Sequence, residues 1–105
     1  MVTHIVLWKF HEEADGRSRE ENMRLAKEKL EALRGRIPGL LHIEVGLDTT
    51  GHPQAADVSL YSRLASWEAL ERYQVHPEHQ AVLPFMRAVV SSRVSSDYES
   101  TGDDA

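Results

Sequence analysis

Seven consecutive residues, Tyr73-Gln74-Val75-His76-Pro77-Glu78-His79, hold two imidazoles and a phenol. An imidazole changes charge near neutral pH, and a neighbouring phenol can donate a hydrogen bond, accept one or orient the ring. This combination suits proton transfer at a carbon alpha to a carbonyl. His79 would remove the proton, and Tyr73 would hydrogen-bond the developing enolate oxygen. His79 and Tyr73 are therefore the candidate catalytic pair. The competing structural reading makes Tyr73 a half-buried helix residue and His79 a helix-start residue bonded to a carbonyl. His76 precedes a proline, so its backbone is driven out of the helical region. Its expected role is to fix the helix junction by bonding backbone, with ligand contact as the second reading.

His4 shares a strand face with Val6, Trp8 and Phe10. If His4 orients a ligand or His79, then Val6 and Trp8 line the same cavity as substrate-binding residues. Otherwise all three are core, and Trp8 fills the space a ligand would take. His76 and His79 lie three apart, but zinc or iron needs a third converging ligand, and Pro77 disturbs helical geometry between them. No metal and no other cofactor is expected. His11 and His52 fall in expected loops, and Glu12-Glu13 and Asp103-Asp104 read as solvated charge.

The chain that must position these groups has 105 residues, 41% hydrophobic and 28% charged, which suits one domain with one modest core. Its formal net charge of -5 argues against nucleic acid and against an anionic membrane surface. Without cysteine, disulfides, thiolate catalysis and zinc-thiolate sites are excluded. No signal-like start and no apolar run near the roughly 20 residues of a membrane span is present, so a soluble cytoplasmic protein is expected.

Thr3 to Phe10 reads as a strand apolar on both faces, with Ile5 and Leu7 opposite the His4 face. His11 to Gly16 reads as a polar loop. Ser18 and Glu21 have capping-box spacing, and Met23, Ala26, Leu30, Leu33 and Ile37 then form one helical stripe ended by Pro38-Gly39. Leu40 to Leu47 alternates, with Leu41, Ile43, Val45 and Leu47 on one face. A turn-rich stretch leads to a third strand at Ala55 to Leu64. Ser66 caps a short helix with Trp67, Leu70 and Tyr73. A further helix around Val82 and Met86 should kink or break at Pro84. Val89 to Tyr98 makes the last strand, and residues 100–105 form a frayed tail after a domain spanning 1–99. Strand, helix, strand, strand, helix, strand is the ferredoxin-like α+β pattern with an antiparallel sheet. Helices cover one sheet face, so the other is expected to pair with a second copy as a homodimer.

Four segments resemble the dimeric α/β-barrel, or stress-responsive A/B barrel (Dabb), family. They are His4-Ile5-Val6-Leu7-Trp8-Lys9-Phe10, then Ile37-Pro38-Gly39 with Glu44-Val45-Gly46, then Tyr73 with His76-Pro77-Glu78-His79, and Asp97-Tyr98-Glu99. The resemblance spans Thr3 to Glu99 and implies a dimer of ferredoxin-like subunits, a dimeric α+β barrel. One branch of the family consists of plant polyketide cyclases that close a ring by aldol condensation without metal or organic cofactor. Its acid/base histidine and tyrosine match His79 and Tyr73, and a first-strand pocket histidine matches His4. A third-strand pocket histidine of that branch falls at Val58 here, which removes one polar group.

Two functions of different class follow. One is a cofactor-independent acid/base enzyme, cyclase-like, on a small apolar carbonyl compound, with His79, Tyr73 and His4 converging on a cavity between sheet and helices. The other is a non-catalytic ligand-binding or interaction module of a stress response, with the cavity filled by Trp8 and Phe85 or its histidines already bonded to backbone. A cofactor-free monooxygenase-like dimer is a third.

Overall fold

The computed structural model of the chain describes residues 1–101. Its centre is strand β1 (Val2–Phe10), whose alternating apolar residues fit a pleat. Val2, His4, Val6, Trp8 and Phe10 are buried on the inner face, while Ile5 and Leu7 look outward. β1 pairs antiparallel with β5 (Val58–Leu64) on one side and with β6 (Val90–Glu99) on the other. β5 pairs with β4 (Leu40–Leu47), giving the sheet order β4-β5-β1-β6. Among the described residues the helices cover only the inner face, and the outer face is bare. This is the ferredoxin-like α+β arrangement with an antiparallel sheet.

The segment expected as a loop after β1 instead folds into a hairpin, β2 (Glu13–Ala14) and β3 (Arg17–Ser18). Asp15 and Gly16 both take positive φ, 53° and 74°, which two-residue hairpins require and the Asp-Gly pair tolerates. The fully buried Asn22 pins the hairpin to the next helix. Its Nδ2 donates to the Ala14 carbonyl (3.1 Å), and its Oδ1 accepts from Arg17 Nε (2.7 Å).

Helix α1 (Arg19–Glu31) starts at the expected capping box. The Glu21 N–H donates to Ser18 Oγ, and the Ser18 N–H donates to Glu21 Oε1. Met23, Ala26 and Leu30 are buried against the sheet. The helix ends earlier than the stripe suggests. Leu33 and Ile37 are buried, but they come from tight turns in which Leu33, Arg34 and Arg36 bond three residues back, and Gly35 turns left-handed at φ 79°.

In β4 the pairing slips between Leu40 and His42, which sends Leu41 outward, 56% exposed, and lets Leu40 pack on the core in its place. Ile43 and Val45 face inward as expected. The third strand begins at Val58 rather than Ala55.

The second helical region is three short helices: α2 (Trp67–Val75), α3 (Pro77–Gln80) and α4 (Leu83–Val89). Ser66 Oγ caps α2 by accepting from the Ala69 N–H at 3.0 Å. Pro84 does not kink a helix. It lies in the first turn of α4, where its missing N–H leaves no bond unmade. Of the tail expected from residue 100, Ser100 is tied down: its N–H donates to the Met1 carbonyl at 2.8 Å. Residues 102–105 lie outside the described residues.

Candidate active site

Tyr73 sits in the last turn of α2 and is fully buried. Pro77 forces a break two residues after α2, and α3 then brings His79 back over Tyr73. Their ring centroids are 4.4 Å apart at 42°. On the other side of the phenol, His4 lies edge-on with centroids 6.0 Å apart. The three groups, of which Tyr73 and His79 lie 69 and 75 residues from His4 in sequence, thus form one stack.

The histidines are oriented by their Nδ1 atoms. His79 Nδ1–H donates to the Gln74 carbonyl at 3.2 Å, so the neutral ring carries its lone pair on Nε2. His4 Nδ1 hydrogen-bonds the Asp97 carboxylate, its direct neighbour across the β1–β6 pairing. Burial holds the pKa of His79 below the ordinary imidazole value. The bond to Gln74 opposes that shift, and the nearby charges of His4 and Arg93 add to it. Burial pushes the Tyr73 phenol up to about 12, so it stays protonated. Its hydroxyl has no hydrogen-bond partner among the described residues.

A cavity of about 340 Å³ opens here. His4, Val6 and Trp8 of β1 form its floor, and Tyr73 and His79 form one wall. Leu30 of α1, with Val82, Leu83 and Met86 from the start of α4, encloses it in apolar side chains. Leu60 of β5 and Val90 of β6 add to the apolar lining, and Arg87 of α4 and Arg93 of β6 are its charged members. Trp8 lines this space rather than closing it. Phe85 lies elsewhere, under Lys29 and Arg17 at 5.2 and 5.7 Å.

Of the sequence candidates, Tyr73, His79, His4, Val6 and Trp8 come together. His76 does not join them. Its Nδ1 accepts from the Glu78 N–H at 3.1 Å, so it caps α3, and it is absent from the cavity wall, which corrects its reading as a ligand contact. Val58 is buried opposite Trp8 and also stays off the wall. His42 is on the sheet edge beside Tyr61, and among the described residues no three His, Asp or Glu side chains converge as a metal site. No helix of the described residues is long and apolar enough to cross a membrane.

Sequence reasoning missed Asp97, Arg87 and Arg93 as site residues. The usable signal was the fold itself. With the last strand antiparallel to the first, Arg93, Ser95 and Asp97 alternate onto the face that carries His4.

An uncharacterized protein of Streptomyces coelicolor is 36% identical over 94% of this chain and 99% of its own length. A dimeric protein of unknown function and ferredoxin-like fold from Bacteroides fragilis superposes with a TM-score of 0.83. It is 32% identical, over 94% of this chain and 95% of that one. A hydroxynitrile lyase from Passiflora edulis shares the fold with a TM-score of 0.74 at 15% identity, over 92% and 90% of the two chains. The family model described as Stress responsive A/B Barrel Domain (Dabb) matches residues 2–100, and the chain belongs to that family.

Proposed function

We propose that this protein is a cofactor-independent acid/base enzyme, of the polyketide-cyclase kind, acting on a small and largely apolar carbonyl compound. His79 Nε2 takes a proton from the carbon alpha to a carbonyl, and the Tyr73 O–H donates to the carbonyl oxygen as it becomes an enolate. In a cyclisation the enolate carbon then attacks a second carbonyl of the same molecule. The resulting alkoxide recovers the proton from His79, so the enzyme ends as it began.

One observation carries this reading: a fully buried, protonated phenol without a partner among the described residues, stacked on a neutral imidazole at the wall of a cavity. Leaving a buried hydroxyl unpaired costs roughly 1–3 kcal/mol, and a ligand oxygen would remove that cost. A hydroxynitrile lyase is built on the same fold, so the fold itself is compatible with catalysis.

The protein works, in this reading, as a homodimer through the outer face of its sheet. Leu7, Tyr61, Val94 and Tyr98 are 36–63% exposed there, and the Bacteroides relative is described as dimeric.

The test is deuterium exchange from solvent into the alpha positions of simple methyl ketones and 1,3-diketones, followed by mass spectrometry. Exchange reports proton abstraction without requiring knowledge of the natural substrate. Catalysed exchange that disappears in His79→Ala and falls about 100-fold in Tyr73→Phe is expected. Catalysed exchange that survives both substitutions overturns the proposal. Tight binding of such compounds with no exchange above buffer favours the ligand-binding module instead.

A further inference from the structure

The apolar cavity has one uneven feature, its charge. Arg87, in the last turn of α4, and Arg93, on β6, both line it, and both are exposed, whereas Tyr73 and His4 are buried. The arginines therefore mark the rim and the phenol marks the inner end. None of the described lining residues is acidic. Among the described residues neither arginine forms an ion pair, and the nearby Asp97 carboxylate is taken by His4. Arg93 Nη1 donates instead to Ser95 Oγ at 3.3 Å, which keeps the guanidinium along the inner face of β6. The chain as a whole carries a formal charge of -5, so two rim arginines without an ion pair among the described residues are a local arrangement rather than a general surplus.

We propose that the ligand of this cavity carries an oxyanion, a carboxylate or phosphate, held at the rim by Arg87 and Arg93 while its carbonyl reaches Tyr73 and His79. The identity of the reacting groups rests on the acid/base reading above; the anion site itself stands on the two arginines. Guanidinium groups bind carboxylate and phosphate through paired N–H donors, which would also fix the ligand's direction of entry. The arrangement helps the chemistry as well. Arg93 disfavours positive charge on His79, and a bound oxyanion would offset that repulsion just as His79 accepts the alpha proton.

Three probes test it by titration calorimetry: 5-oxohexanoate, dihydroxyacetone phosphate, and the neutral methyl ester of 5-oxohexanoate. At least one anion should bind roughly tenfold or more tightly than the ester. Which anion does so identifies the source of the oxyanion. That preference should vanish in the Arg87→Gln, Arg93→Gln double variant and shrink as salt is raised. Both side chains are exposed, so the variant should keep the wild-type circular dichroism. Equal binding of all three probes, or a preference that survives the double substitution, overturns the proposal. Deuterium exchange into the ester separates the two readings. If exchange persists without an anion preference, the acid/base reading stands and this one falls. If the anion preference holds while no probe exchanges, the rim site stands on a protein that only binds.

Discussion

The Tyr73 hydroxyl is set against stability. Buried and without a partner among the described residues, it should make the folded chain less stable than a phenylalanine of the same shape would. Tyr73→Phe is therefore expected to melt at the same temperature or higher while losing the exchange activity, a combination that thermal melting and the deuterium assay read together. His79 brings a pH dependence. Its folded pKa lies below the ordinary 6.5, so at pH 7 it is a neutral base, and the acid limb of the rate profile should fall below pH 6.5. The same shift sets a sign for stability. The unfolded chain takes up this proton more readily, so the contribution is whole above about 6.5 and is lost as pH falls through the folded value. Denaturant midpoints measured between pH 7 and 5 should decline less in His79→Gln. Tyr73 and His79 were legible because they are sequence neighbours across a proline. Asp97 and Arg93 were not, because strand register, not spacing along the chain, brings them to the site, and Arg87 arrives on the packing of α4.

Among the elements, α2 bears most directly on the site, since it carries Tyr73. Its approach to the sheet depends on Gly39. A Cβ there would lie 2.8 Å from the Ala69 Cβ, and the backbone holds φ 87°. Gly39→Ala should cost about 1–3 kcal/mol in denaturant unfolding, through both contact and backbone strain, and should lower exchange activity by displacing α2. The start of α1 was readable from Ser18 and Glu21, because a capping box is a local hydrogen-bond pattern. Its end was not, because Leu33 and Ile37 are buried equally well by tight turns. Leu40 and Leu41 were likewise indistinguishable by composition; the slipped pairing with β5 decides which one faces the core. The hairpin at Asp15-Gly16 was available in the sequence, since that pair favours the required turn, but two-residue strands leave no alternation to notice.

At the scale of the molecule, the outer sheet face sets the expected assembly. Val94→Glu places a charge at its middle, opposite Leu7, and should convert a dimer to monomer in sedimentation without altering the cavity on the other face. The antiparallel α+β order was legible because the apolar pattern changes period from two to between three and four and back again. The expectation of a second copy came from one strand, apolar on both sides.

Strand β6 carries a consequence of its own. Every residue from Ser91 to Glu99 is exposed in the single chain, yet this strand supplies the Asp97 that aims His4 and the Arg93 at the rim. Two of the charges beside the cavity, Asp97 and Arg93, thus ride on an edge strand whose residues the single chain leaves exposed. A partner pressed on its outer face would slow its fraying. Specific activity should then decline on dilution, and hydrogen exchange of the β6 amides should quicken over the same concentration range.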